Sequence, residues 1–123
     1  MKTVRRWVLG LATLAALSLA ATNAFAHAHL ESSTPAANAT VQAPTTITLR
    51  FSDPLEPRFS GIEITDAHNH AVNAPSHPDP SNPAIYVATP STQLAPGLYH
   101  VNWHLVAHDG HRMRGTFDFT VAL

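Results

Sequence analysis

Leu98-Tyr99-His100-Val101-Asn102-Trp103-His104-Leu105-Val106-Ala107 is the stretch on which the fold turns. Apolar and polar side chains alternate along it. Tyr99, Val101, Trp103 and Leu105 share one face, and His100, Asn102 and His104 share the other. Period-two alternation marks a half-buried β-strand, because successive side chains of an extended backbone point to opposite sides. The first face is expected in the core. Downstream, Asp109-Gly110 is a turn signal, and Thr116 to Ala122 alternates again with Phe117, Phe119 and Val121 inward. The two strands form a hairpin with Asp109 and His111 at its tip.

Upstream, Thr46 to Ser52 alternates with Ile47, Leu49 and Phe51 on one side, and Asp53-Pro54-Leu55-Glu56-Pro57 ends it. Gly61 to Thr65 and Ala84 to Thr89 read as further strands. Thr34 to Pro44 reads as a loop. Asp66 to Asn82, with three prolines, reads as a long mobile loop with one short strand at Ala71-Val72. No stretch after residue 26 has helical periodicity and no internal repeat is visible. Six or seven short strands separated by turns indicate an all-β sandwich or barrel.

Residues 1–26 have the three parts of a secretory leader: Lys2, Arg5 and Arg6, then an apolar stretch from Trp7, then Ala24-Phe25-Ala26 as a cleavage site. The expectation is a cleaved signal peptide, export to a bacterial periplasm, and a mature domain of residues 27–123. That domain carries Arg50, Arg58, Arg112 and Arg114 against eight carboxylates, a formal charge of −4 with histidine neutral. The balance excludes a basic nucleic-acid footprint. Cysteine is absent, which excludes both disulfides and a thiolate metal site. All nine histidines lie after residue 26.

Cleavage after Ala26 makes His27 the first residue. Its α-amine and imidazole then form a compact two-nitrogen chelate. Asp109-Gly110-His111 adds a carboxylate and a second imidazole at i and i+2. Three nitrogens and one oxygen are the donors that Cu(II) prefers in tetragonal geometry, and Zn(II) binds such a set less tightly. The expected metal ligands are therefore His27, Asp109 and His111, holding one Cu(II) per chain. His29 is a possible auxiliary ligand; it is otherwise an exposed histidine, or the third residue of an amine–amide–imidazole chelate. His68, His70 and His77 are expected in a solvated loop. His100 and His104 are expected on the sheet surface, and His108 near the site without ligating. Arg112 and Arg114 are solvated or hydrogen-bond the Asp109 carboxylate.

Several motifs occur in fixed order: His27-x-x-Leu30-x-Ser32-Ser33-x-Pro35, Ile47-x-Leu49-x-Phe51-Ser52, Phe59-Ser60-Gly61, Leu94-x-Pro96-Gly97-x-Tyr99-x-Val101-x-Trp103, and Asp109-Gly110-His111-x-x-x-Gly115-x-Phe117-x-Phe119-x-Val121. In these the chain resembles the CopC family of periplasmic copper-binding proteins. The resemblance implies a Greek-key β-barrel of cupredoxin or immunoglobulin-like type and a Cu(II) site at His27, Asp109 and His111. It also implies a role in copper resistance or supply, and a CopD-type inner-membrane partner. Some members carry a methionine-rich loop for Cu(I). Here the corresponding loop has no methionine, and Met113 is the only one after the leader. The leading expectation is a monomeric, non-enzymatic copper carrier or buffer. Two alternatives are a copper-dependent oxidative enzyme of lytic polysaccharide monooxygenase type, and an immunoglobulin-like interaction module with incidental histidines.

Overall fold

A computed structural model describes residues 28–123. The expected leader and His27 lie outside the described residues. The described strands are β1 Leu30–Thr34, β2 Thr40–Val41, β3 Ile47–Phe51, β4 Gly61–Asp66, β5 Ala71–Val72, β6 Ser76–Asp79, β7 Asn82–Ala88, β8 Gly97–Val106 and β9 Arg112–Val121, with a 3-10 turn at Pro57–Phe59. They form two open sheets, β1-β3-β7-β6 and β2-β9-β8-β4-β5. The architecture is a sandwich rather than a closed barrel.

Alternation explains the layering. From β3, Ile47, Leu49 and Phe51 are buried; from β8, Tyr99, Val101, Trp103 and Leu105; from β9, Phe117, Phe119 and Val121. These are the inward faces expected from the sequence. Full burial of one such side chain contributes roughly 1.5–3 kcal/mol, so the inner layer dominates the stability of a domain without disulfides. Phe51 meets Trp103 edge-on at 5.3 Å between ring centroids, joining the sheets. Tyr99 stacks on its cross-strand neighbour Phe119 at 5.5 Å.

Two expectations are corrected. Thr34 to Pro44 is not wholly loop, because Thr40-Val41 pairs in parallel with Thr120-Val121. Asp66 to Asn82 is not one long loop. Its second half forms β6, antiparallel to β7. Pro78 is tolerated there because β6 is an edge strand, where a missing N–H leaves no ladder bond unmade. In the first half, the Asp66 carboxylate accepts from the backbone N–H groups of His70 and His68. These bonds, that of His70 foremost, hold its carboxyl below the ordinary range.

Gly115 faces inward opposite Trp103. A Cβ there would overlap Trp103 Cζ2 and Cε2, with Nε1 at 3.0 Å. Gly115→Ala should destabilise the domain by about 1–3 kcal/mol through overpacking, read as a lower denaturation midpoint with unchanged slope; an unchanged midpoint would mean the ring can yield. The two tyrosines of the chain, Tyr86 and Tyr99, are both buried. Burial pushes both phenols up from 10.0, and the negative charge of Asp66 adds to the effect at Tyr99. The neutral phenol is the form the fold favours. Its contribution is complete below the unfolded value and is lost as pH rises through the raised one. A spectrophotometric titration should therefore find the two phenols less than half ionised at pH 10, whereas half-ionisation there would contradict the burial.

Candidate metal centre

The loop joining β8 to β9 is Ala107-His108-Asp109-Gly110-His111. Gly110 N donates to Ala107 O at 2.9 Å, and Ala107 N donates to His111 O at 3.0 Å. Gly110 sits at φ +88°, in the left-handed region that glycine enters without a Cβ penalty. A tight turn closed by such a residue is a common short hairpin loop. It brings the i and i+2 side chains together. Asp109 Oδ2 accepts from His111 Nδ1 at 2.6 Å, and Asp109 Oδ1 accepts from His111 N at 3.0 Å. Both side chains stay more than half exposed.

The chemical consequence is a fixed tautomer. An imidazole that donates from Nδ1 to a carboxylate carries its lone pair on Nε2. The carboxylate has lone pairs for more than one partner, so Asp109 can keep His111 and still take a cation. Asp109 and His111 are thus brought together as expected.

The N-terminal arm reaches the same end of the sandwich. His29 N donates to Ser52 Oγ at 2.9 Å, and Ser52 N donates to His29 O at 2.9 Å. Ser52 Oγ in turn donates to Asp53 Oδ2 at 3.2 Å. The His29 backbone is therefore gripped on both sides while its imidazole is exposed. Ala28 is buried in the core. Ala28, Asp53, Pro54, Ala107, His108 and Asp109 line one cleft of about 280 Å³. His27, the remaining expected ligand, lies outside the described residues. Among the described residues no group of three or more His, Asp or Glu side chains is placed to hold a metal.

The other histidines divide by position. His68 and His70 are exposed at the β4–β5 turn, and His77 is exposed on β6 with Nδ1 at 3.0 Å from Pro78 O. His100 lies on the outer sheet face as expected, but it also donates to Asp118 at 2.6 Å, a pairing that sequence reading missed. His108 lies in the cleft beside Asp109. Asp53 and Ser52 were also missed. In sequence Ser52 reads only as the last residue of the alternating strand, and Asp53 only as the first residue of the segment that ends it.

The class is thus a small open two-sheet β-sandwich that carries a histidine–carboxylate pair on one hairpin loop, at the end reached by the N-terminal arm. Residues 30–122 match the model of the CopC domain, and the chain belongs to the CopC family. Copper resistance protein C of Xanthomonas campestris pv. juglandis is 36% identical over 115 residues, covering 88% of this chain and 90% of that protein. Protein YobA of Escherichia coli (strain K12) is 40% identical over 106 residues, covering 85% and 86%. The crystal structure of PcoC, a methionine-rich copper resistance protein from Escherichia coli, superposes with a TM-score of 0.72 at 37% identity, covering 79% of this chain and all of that one.

Ser52→Ala removes the acceptor of the His29 N–H but keeps the Ser52 N–H bond to His29 O. The loss of one such bond costs roughly 0.5–1.5 kcal/mol locally. Amide exchange at His29 should accelerate roughly threefold to tenfold, with exchange in β8 and β9 unchanged; an unaltered rate at His29 would show that Ser52 does not hold the arm.

Proposed function

We propose that this protein is a non-enzymatic carrier or buffer for Cu(II) in the bacterial periplasm, acting in copper resistance or in copper supply to a membrane partner of CopD type. Residues 1–26 act as its cleaved leader, and the mature domain works as a monomer binding one ion. His27 supplies amine and imidazole, His111 supplies Nε2, and Asp109 supplies a carboxylate oxygen.

The observation that carries this reading is the shared cleft. Ala28 and Asp109 line it together. The first described residue of the N-terminal arm therefore reaches the wall of the hairpin loop. The carboxylates of Asp53 and Asp109 make the cleft favourable for a cation. Family membership and likeness to copper resistance proteins support the same conclusion.

His29 is a supporting residue. An amine–amide–imidazole chelate would need its backbone amide, and the fold engages that amide with Ser52. The methionine-rich character of the PcoC relative has no counterpart among the described residues. Met113 is the only methionine among the described residues, and it packs against the core. No observation on this molecule favours an oxidative enzyme or an interaction module over the carrier.

The test is an EPR-monitored Cu(II) titration of protein exported with its own leader. A single tetragonal, nitrogen-rich signal saturating at one equivalent is expected. His111→Ala, or one extra residue ahead of His27, should each weaken binding more than the roughly 10–100-fold typical of losing an outer hydrogen-bond partner. If both variants bind as tightly as the parent, the ligand set is wrong.

A further inference from the structure

Four arginines are the only Lys or Arg side chains among the described residues; two of them, Arg112 and Arg114, line one concavity, and a third, Arg58, lies near the ring of Phe59 at its edge. Arg112 and Arg114 project from the outer face of β9 and are exposed. They stand opposite Val106 and His104 of β8. With Phe59, His104, Leu105, Val106 and Met113 they line a concavity of about 520 Å³. Phe59 caps it at 58% exposure, and the Arg58 guanidinium lies 5.9 Å from its ring centroid. Among the described residues no ion pair neutralises Arg58, Arg112 or Arg114. The bordering carboxylates are Glu63, in the adjoining groove with Arg114, and Glu56, ahead of the Pro57–Phe59 turn.

Solvation alone does not account for this arrangement. A domain with twice as many carboxylates as cations would disperse its cations if they only kept it soluble. Here Arg112 and Arg114 share a concavity with the exposed ring of Phe59, and Arg58 lies near that ring. An aromatic ring with arginines is the composition of a binding hot spot. A positive concavity on an otherwise negative molecule admits an acidic partner in one orientation and repels it in others. Arg112 directly follows His111, so a partner seated here lies over the hairpin loop.

We propose that the concavity lined by Phe59, Arg112 and Arg114, with Arg58 beside the Phe59 ring, is the docking surface for a carboxylate-rich segment of a partner protein, anchored by one apolar side chain, which exchanges copper with the adjacent loop. The exchange role rests on the copper reading above; the docking does not.

Docking is tested on the metal-free mature protein by amide-detected NMR. The probe is a short blocked peptide of aspartate and glutamate around one phenylalanine. Shifts should cluster at Phe59, Val106 and residues 112–114. The double variant Arg112→Gln, Arg114→Gln should weaken binding about tenfold or more, a change of about 1.4 kcal/mol, as should replacing the peptide's acids by their amides. Arg50→Gln, on the other sheet, should change it less than about twofold. Docking is overturned if Arg50→Gln weakens binding equally, if shifts scatter over the molecule, or if inorganic phosphate reproduces them while the peptide's phenylalanine is dispensable. For exchange, a peptide ending in a copper-chelating tripeptide should strip Cu(II) faster from the parent than from the double variant. Equal rates would overturn the exchange role with docking intact, and a parent that takes up no Cu(II) would overturn the copper reading itself.

Discussion

The pairing of β8 with β9 is the constraint on which the rest depends. The two strands run in unbroken antiparallel register from Gly97 opposite Val121 to Val106 opposite Arg112. Because side chains alternate with period two, a slip of one residue in either strand would turn its core face to water. Tyr99 on Phe119 and Trp103 over Gly115 lock the register from within, since each pair fits only in this alignment. The same ladder fixes both ends of the connecting loop. It therefore determines where Asp109 and His111 stand, and which side of β9 carries Arg112 and Arg114.

The proposed copper site inherits its rigidity from that ladder and its openness from the loop. Both oxygens of Asp109 are bonded to His111, one to the backbone amide and one to the ring. The imidazole is thus oriented before any ion arrives, which reduces the ordering cost of binding. The opposite wall is built differently. It is the end of β3, where Ser52 grips the His29 backbone and Asp53 orients the Ser52 hydroxyl. The Asp109–His111 pair sits on a hairpin, and the N-terminal arm is tethered to the other sheet through Ser52.

Much of this was legible from residue order. The inward faces of β3, β8 and β9 follow from alternation, and the hairpin tip follows from Asp109-Gly110. The pieces that escaped lack a local signal. Thr40-Val41 is too short to show a period and becomes a strand only because Thr120-Val121 lies beside it. Ser76 to Asp79 contains a proline and no apolar alternation; it is ordered by β7 and tolerated as an edge. His100 and Asp118 are eighteen positions apart and meet only through the ladder.

The sequence by itself determined the all-β class, the core faces, the absence of cysteine chemistry and the adjacent Asp109–His111 pair. These are properties of period, composition and short spacing, which act over a few residues whatever the rest of the chain does. Only the tertiary structure decided that the sheets stay open as a sandwich. It alone brought Ser52 and Asp53 to the N-terminal arm, Ala28 to the Asp109 cleft, and Arg58 with Phe59 to the face carrying Arg112 and Arg114. Those contacts join residues tens of positions apart. They are set by strand register and by the crossing of the chain between two sheets, which no local pattern encodes.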